Sequence, residues 1–232
     1  VLDVNGDLLF QFGSGGSGKG QFAGTIGAIE VDQITGDIYV LDALGFERVQ
    51  KFDSTGNFIL MWGWGVKTGA AQFEICIAAD PVCFPGISGS GVGQFNLPSS
   101  AGGVATDGTN VFVSDTQNFR IQKFDTSGNF VSMWGSAGSA PGQFAAINGP
   151  ANIRYSNGLL YVADTHPNHR IQTFNIDGVF QGEWGNSSVF NFPTDISVLS
   201  NGEEVVSDFG APGQLGRLTK WTAAAPVSLH PT

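Results

Sequence analysis

One phrase is spelled three times in this chain. "DALGFERVQKFDSTGNFILMWG" begins at Asp42, "DTQNFRIQKFDTSGNFVSMWG" at Asp115 and "DTHPNHRIQTFNIDGVFQGEWG" at Asp164, and a weaker "DFGAPGQLGRLTKWT" begins at Asp208. The leading aspartates are 73, 49 and 44 residues apart. Spacings in the forties mark an array of supersecondary units, each too small to bury its own faces and dependent on its neighbours. The interval of 73 is one such period lengthened by an insertion at 64–96 that carries Cys76 and Cys83.

Each unit divides into four short strands. In the second copy these are "GGVATD" (102–107), "NVFVSD" (110–115), "RIQKFD" (120–125) and "NFVSMWG" (129–135). Alternation of period two fills the strands, and Gly, Asn and Asp punctuate them as hairpin connections require. In "DSTGN" and "DTSGN", Gly56 and Gly128 can supply a positive φ. Composition agrees: 34 Gly and 19 Phe with only 13% charged residues suit tight turns and buried strands. No helix-period segment exceeds two turns. A four-stranded antiparallel sheet of this size buries both faces by radial stacking, so the expected fold is an all-β propeller of four-stranded antiparallel blades.

The repeats resemble the NHL family. The resemblance rests on an order of G-Q-F (Gly20–Phe22, Gly93–Phe95, Gly142–Phe144), an apolar strand ending in Asp, a phrase like "YVADTHPNHRIQTF", and a G-x-F turn leading into "WG". It covers about residues 1–221, and three copies match closely. It implies a propeller over 1–222, with repeats at about 23–63, 97–135, 145–185 and 194–222, followed by a tail at 223–232. The segment 1–13 reads as a last turn and outer strand with nothing before it, and the fourth unit has no clear outer strand. Lending the first to the second would close a four-bladed ring. The family more often has six blades, so a six-bladed parent is the other architecture. In such repeats the Asp ending the second strand is expected to pair with the Arg opening the third: Asp42 with Arg48, Asp115 with Arg120, Asp164 with Arg170, and more loosely Asp208 with Arg217. Their repetition marks scaffold; a catalytic role would single out one copy.

Function is then expected in the loops of one face, where a rigid scaffold displays them. The aromatic tips Phe46, Phe119 and Phe209, with Trp64, Phe73 and Phe84 of the apolar insertion, form the expected contact patch, since aromatic groups give large contact area at little entropic cost. The partner expected is protein or carbohydrate, with self-association as a further outcome. His166 and His169 lie three apart and could reach one ion, but the remaining histidine, His230, is in the tail. Amidating lyases of this superfamily gather several histidines from different blades around a central metal, and this chain does not supply that set. No metal or other cofactor is therefore expected, and the chain reads as a non-enzyme. A metal-dependent propeller lyase or lactonase is the alternative.

A formal charge of −10, with its ten bases spread through the repeats, disfavours nucleic acid and anionic membranes. No apolar run approaches the ~18 residues of a membrane span. A disulfide between Cys76 and Cys83 would stabilise its short loop by about 2.5 kcal/mol; two reduced thiols are the alternative. The disulfide would place the chain in an oxidising setting: extracellular, at the cell surface, or periplasmic.

Overall fold

The computed structural model describes residues 1, 4–22, 25–98, 102–210 and 216–221. Four antiparallel sheets follow one another along the chain, each with its strands in chain order, and together they form a four-bladed β-propeller. Blade one comprises Ile26–Val31, Ile38–Asp42, Arg48–Phe52 and Phe58–Trp64, with Phe73–Ile77 added at its outer edge. Blade two comprises Val104–Thr106, Asn110–Asp115, Arg120–Asp125 and Phe130–Trp134. Blade three comprises Ile153–Ser156, Leu159–Asp164, Arg170–Asn175 and Phe180–Trp184. Blade four comprises Phe192–Val198, Glu204–Phe209 and Arg217–Trp221.

The turn between third and fourth strands shows how sequence sets local structure. Asp53 Oδ1 accepts hydrogen bonds from the amides of Thr55 and Asn57, Asp125 Oδ1 from those of Ser127 and Asn129, and Asn175 Oδ1 from those of Asp177 and Val179. The glycine that follows, at 56, 128 or 178, has φ of +84°, +83° or +81°. Glycine is demanded twice over there. A Cβ on Gly128 would lie 3.1 Å from the Trp62 ring, and one on Gly178 would lie 2.5 Å from Trp134.

That contact is part of the inter-blade core. Phe124 of blade two is ringed by Trp62, Phe95 and Phe130 with centroids 5.6, 5.7 and 5.9 Å away, and Phe174 of blade three by Trp134, Phe144 and Phe180 at 6.0, 5.9 and 6.0 Å. Blades one and two thus each send an outer-strand Trp onto the third-strand Phe of the next. The Phe of the intervening G-Q-F motif completes the cluster. Trp184 of blade three meets Phe190 of the following connector at 5.5 Å.

Blade one is built the same way. Phe52 is ringed by Phe12, Phe22 and Phe58 at 4.9, 5.8 and 6.0 Å. Phe12 also lies 2.8 Å from where a Gly56 Cβ would be. The N-terminal segment therefore fills, against blade one, the place that an outer strand fills against the following blade. The segment is held there by aromatic burial against Phe52. The fourth sheet has three strands among the described residues. The tail at 223–232 lies outside the described residues.

The insertion is wall, not lid. Its strand pairs with Phe58–Trp64 in register Met61 with Cys76. Phe73 stacks on Phe124 with centroids 6.2 Å apart and an interplanar angle of 22°. Cys76 and Cys83 form a disulfide, Cα atoms 5.9 Å apart, buried with Met61 and Val66. The Trp64 indole N–H donates to the Val92 carbonyl at 2.8 Å, and the Glu74 carboxylate accepts from the amides of Lys67 and Thr68.

Candidate functional site

The residues that look most chemical in the sequence are fully engaged in one repeated knot. In blade two, Arg120 Nε donates to Asp115 Oδ2 at 2.8 Å; Nη1 donates to the Ser90 carbonyl at 2.9 Å; Nη2 donates to the carbonyls of Gly91 and Gln94 at 2.7 and 2.8 Å. Gln122, two residues on, donates to Gln94 O and Asp115 Oδ2 and accepts from the Gly93 amide. Asp115 Oδ1 accepts from the Asn96 amide at 2.8 Å. The G-Q-F motif is thus a backbone hook, and D…R-x-Q is the hand that grips it.

Blade one repeats the grip with Arg48, Gln50, Asp42 and the Gln21 carbonyl, and blade three with Arg170, Gln172, Asp164 and the Gln143 carbonyl. Blade four keeps a looser version: Arg217, half exposed, donates from Nε to Asp208 Oδ2 at 2.8 Å and from Nη2 to the Val189 carbonyl, and Asp208 accepts from the Asn191 and Phe192 amides. Burial pushes the Asp115 and Asp164 carboxyls up despite their arginine and amide partners. Those charges are held by hydrogen bonds, not by solvent.

With its connectors gripped this way, each loop between second and third strands is held at one face. The residue before the arginine takes the left-handed conformation in three blades: Glu47 at φ 35°, Phe119 at 56° and His169 at 54°. The backbone is shared and the side chains diverge. Glu47 turns inward and accepts from the Leu97 and Gly45 amides; burial pushes its carboxyl up to about 7. Phe119 packs against the core between blades two and three. His169 turns to blade four, edge-on to the Phe192 ring.

There the four blades meet. A depression of 150 Å³ is lined by Gly27 of blade one, Gly102 before blade two, Asn148, Ala151, Asn152 and Thr165 of blade three, and Phe192 and Thr194 of blade four. His166 lies over Phe192 with centroids 5.3 Å apart, and His169 is edge-on to the same ring at 6.4 Å. His169 Nδ1 faces the Asn191 carbonyl, which can only accept, so that nitrogen carries the proton; His166 Nδ1 then donates to His169 Nε2 across 3.2 Å. Phe209 is the cross-strand partner of Phe192 and is 70% exposed.

The expected aromatic patch is therefore redistributed. Trp64, Phe73 and Phe119 are spent on packing, and Phe46 lies under the Arg48 guanidinium at 5.0 Å. Phe84 is partly exposed at the insertion, where its carbonyl accepts from Arg48. Phe209, His166 and His169 do come together, around Phe192. Sequence reasoning passed over Phe192, Asn148 and Asn152. The signal available was "FNFP" (190–193), where the hook is replaced by a second phenylalanine.

As a metal centre the cluster falls short. Two imidazoles reach one point, and no group of three or more His, Cys, Asp and Glu side chains gathers anywhere among the described residues, where a catalytic zinc takes three protein ligands.

The family model for the NHL repeat matches residues 148–174, the stretch that supplies Asn148, Asn152, Thr165 and both histidines. The chain is 35% identical over 115 residues to Protein brain tumor of Drosophila melanogaster, covering 49% of this chain and 11% of that protein. It is 27% identical over 187 residues to Peptidyl-glycine alpha-amidating monooxygenase A of Xenopus laevis, covering 78% of this chain and 17% of that protein. The chain thus spans under a fifth of the length of either relative. Among solved structures, a chain in the crystal structure of a nidogen/laminin complex superposes with a TM-score of 0.53 at 16% identity, over 84% of this chain and 64% of that one. At that identity the likeness concerns the fold alone.

Proposed function

The chain is an NHL-repeat β-propeller, and we propose that it is a non-catalytic module that binds a protein partner at the channel mouth, through Phe209, Phe192, His166 and His169. The observation that supports this most is Phe192, cross-strand partner of the exposed Phe209, with two imidazoles packed on its ring beside a depression lined by all four blades. Concave, partly apolar ground with a few convergent polar groups is what a peptide or loop needs, and an exposed aromatic is the usual anchor. The repeated Asp–Arg pairs, by contrast, are consumed in holding loops. The Cys76–Cys83 disulfide supports an extracellular or cell-surface setting.

Two outcomes are distinguished by comparing the wild-type chain with a Phe209→Ala, His166→Ala double variant. Phe209 is exposed and His166 half-buried at the rim, so the fold should be kept and the melting temperature should change little. A protein partner captured from the source tissue or culture by the immobilised wild type should be lost from the variant. Equal capture by both would refute this placement of the site.

The second reading is an amidating or related lyase, favoured by the similarity over 187 residues and by the two facing imidazole nitrogens. It requires stoichiometric metal binding that His166→Ala abolishes. Calorimetric titration with zinc, with no binding above background, would eliminate it.

A further inference from the structure

Three times along the chain, the forward face of one blade packs on the back face of the next, through matching positions. The second residue of each third strand, Val49, Ile121 or Ile171, points forward and is fully buried against the following blade. Leu218 holds the same register in blade four, paired with Ser207 as Ile121 is paired with Ser114, yet it is 75% exposed. On the back faces, the inner-strand residues Val104, Ile153 and Ile196 are 0%, 0% and 1% exposed. Ile29 holds that register in blade one, paired with Val40, and is 52% exposed. Among the described residues, the forward face of blade four is thus left open, and the back face of blade one is covered in its outer part by Phe12 and Phe22 and open at Ile29.

The polar part of the contact is likewise half made. Lys51 Nζ donates across to the Thr126 carbonyl in the turn of blade two, and Lys123 Nζ to the Ile176 carbonyl in that of blade three. Lys220 stands at the same offset after Arg217, half exposed, and pairs only with Glu203 of its own sheet, at 2.7 Å. The matching acceptor on blade one is the Ser54 carbonyl, in the turn where Phe12 already occupies the outer-strand place. Blades one and four both reach Arg154 near the axis, through Glu30 at 3.1 Å and Asp195 at 3.2 Å.

We propose that the forward face of blade four binds the back face of blade one in a second copy of the same chain, head to tail. The occupant is argued from the chain itself: both halves belong to an interface that it builds three times over, with the Lys clasp and the aromatic seat in place. The contact is heterologous, so it closes into a ring or extends into an array. Copies carrying a net charge of −10 repel, so added salt should strengthen association.

The test uses the two flanks separately, by sedimentation velocity across a concentration series. Wild type should assemble with concentration, and more so at high salt. Leu218→Lys and Ile29→Lys should each run as monomers of 24.3 kDa with unchanged circular dichroism. Each variant keeps one intact face, so an equimolar mixture should recover a species of twice that mass and nothing larger. A wild type that stays monomeric at its highest soluble concentration overturns the proposal, as does a mixture that recovers nothing. A monomer in which Leu218→Cys resists thiol labelling also overturns it, because the flanks would then have closed within one chain. Phe209 lines one depression with Leu218, so the blade-one flank separates the two readings: Ile29→Lys touches none of Phe192, Phe209, His166 and His169, and should abolish assembly while leaving partner capture as in wild type.

Discussion

Arg120→Ala and Arg217→Ala remove chemically identical side chains from equivalent places, and their costs should differ severalfold. Arg120 is buried and donates from all three nitrogens to Asp115 and to the carbonyls of Ser90, Gly91 and Gln94. Its loss leaves a fully buried carboxylate and three connector carbonyls short of a donor. Breaking a buried pair from one side costs about 3–5 kcal/mol. At this chain length each kcal/mol moves the melting temperature by roughly 2–4 °C, so a fall of roughly 10 °C is expected. Arg217 is 54% exposed and grips Asp208 and the Val189 carbonyl from the surface, where water replaces it. Its removal should cost about 1 kcal/mol. Calorimetry on the two variants decides the matter. The Arg120 deficit should also widen with pH. Asp115 has a folded pKa raised by burial, so its charged form penalises the fold as pH rises through that value, and without Arg120 the penalty grows. Equal losses in the two variants, or an Arg120 deficit independent of pH, would show that the knot does not hold the connectors.

Other outcomes follow from single contacts. Phe124→Ala empties the centre of the blade one–blade two aromatic cluster and should cost about 3–5 kcal/mol in urea unfolding, whereas Phe209→Ala should cost almost nothing. Reducing the Cys76–Cys83 bridge, or replacing both residues by Ser, should lower stability by about 2.5 kcal/mol and leave the other three blades folded. Glu47 has a folded pKa raised to about 7, so its stability contribution is intact below its unfolded value and is lost as pH climbs to 7. Glu47→Gln keeps an acceptor for the Leu97 amide, so its melting temperature should rise relative to wild type across that window, by up to about 3 kcal/mol in free energy. A constant difference from pH 4 to 8 would sink that assignment.

The strands, the turns and the disulfide were legible because each depends on local chemistry repeated in register. "DTSGN" specifies its own turn through Asp125 and Gly128, and three copies of D…R-x-Q announce a shared scaffold. Two things were not legible. The N-terminal strand has the pattern of an outer strand, but pattern does not say what its aromatics bury against; Phe12 and Phe22 pack on Phe52. The packing of single aromatics was hidden for a related reason. Phe119 in its loop and Phe73 in the insertion each pack against a core between blades. Phe192, which the sequence did not single out, lines the central depression. Exposure of a single aromatic depends on its neighbour across a blade interface, and no one repeat contains that neighbour.

The left-handed residue before each arginine has a consequence of its own. Its backbone is dictated by the grip on either side, so Glu47, Phe119 and His169 share one conformation although a carboxylate, a benzyl group and an imidazole have nothing in common. The position behaves as an interchangeable socket, addressed by the main chain and indifferent to what is plugged in. One plug seals a seam, one pads it, and one turns to blade four. A propeller wired this way can acquire a new specificity by exchanging one side chain per blade, with the frame left as it was.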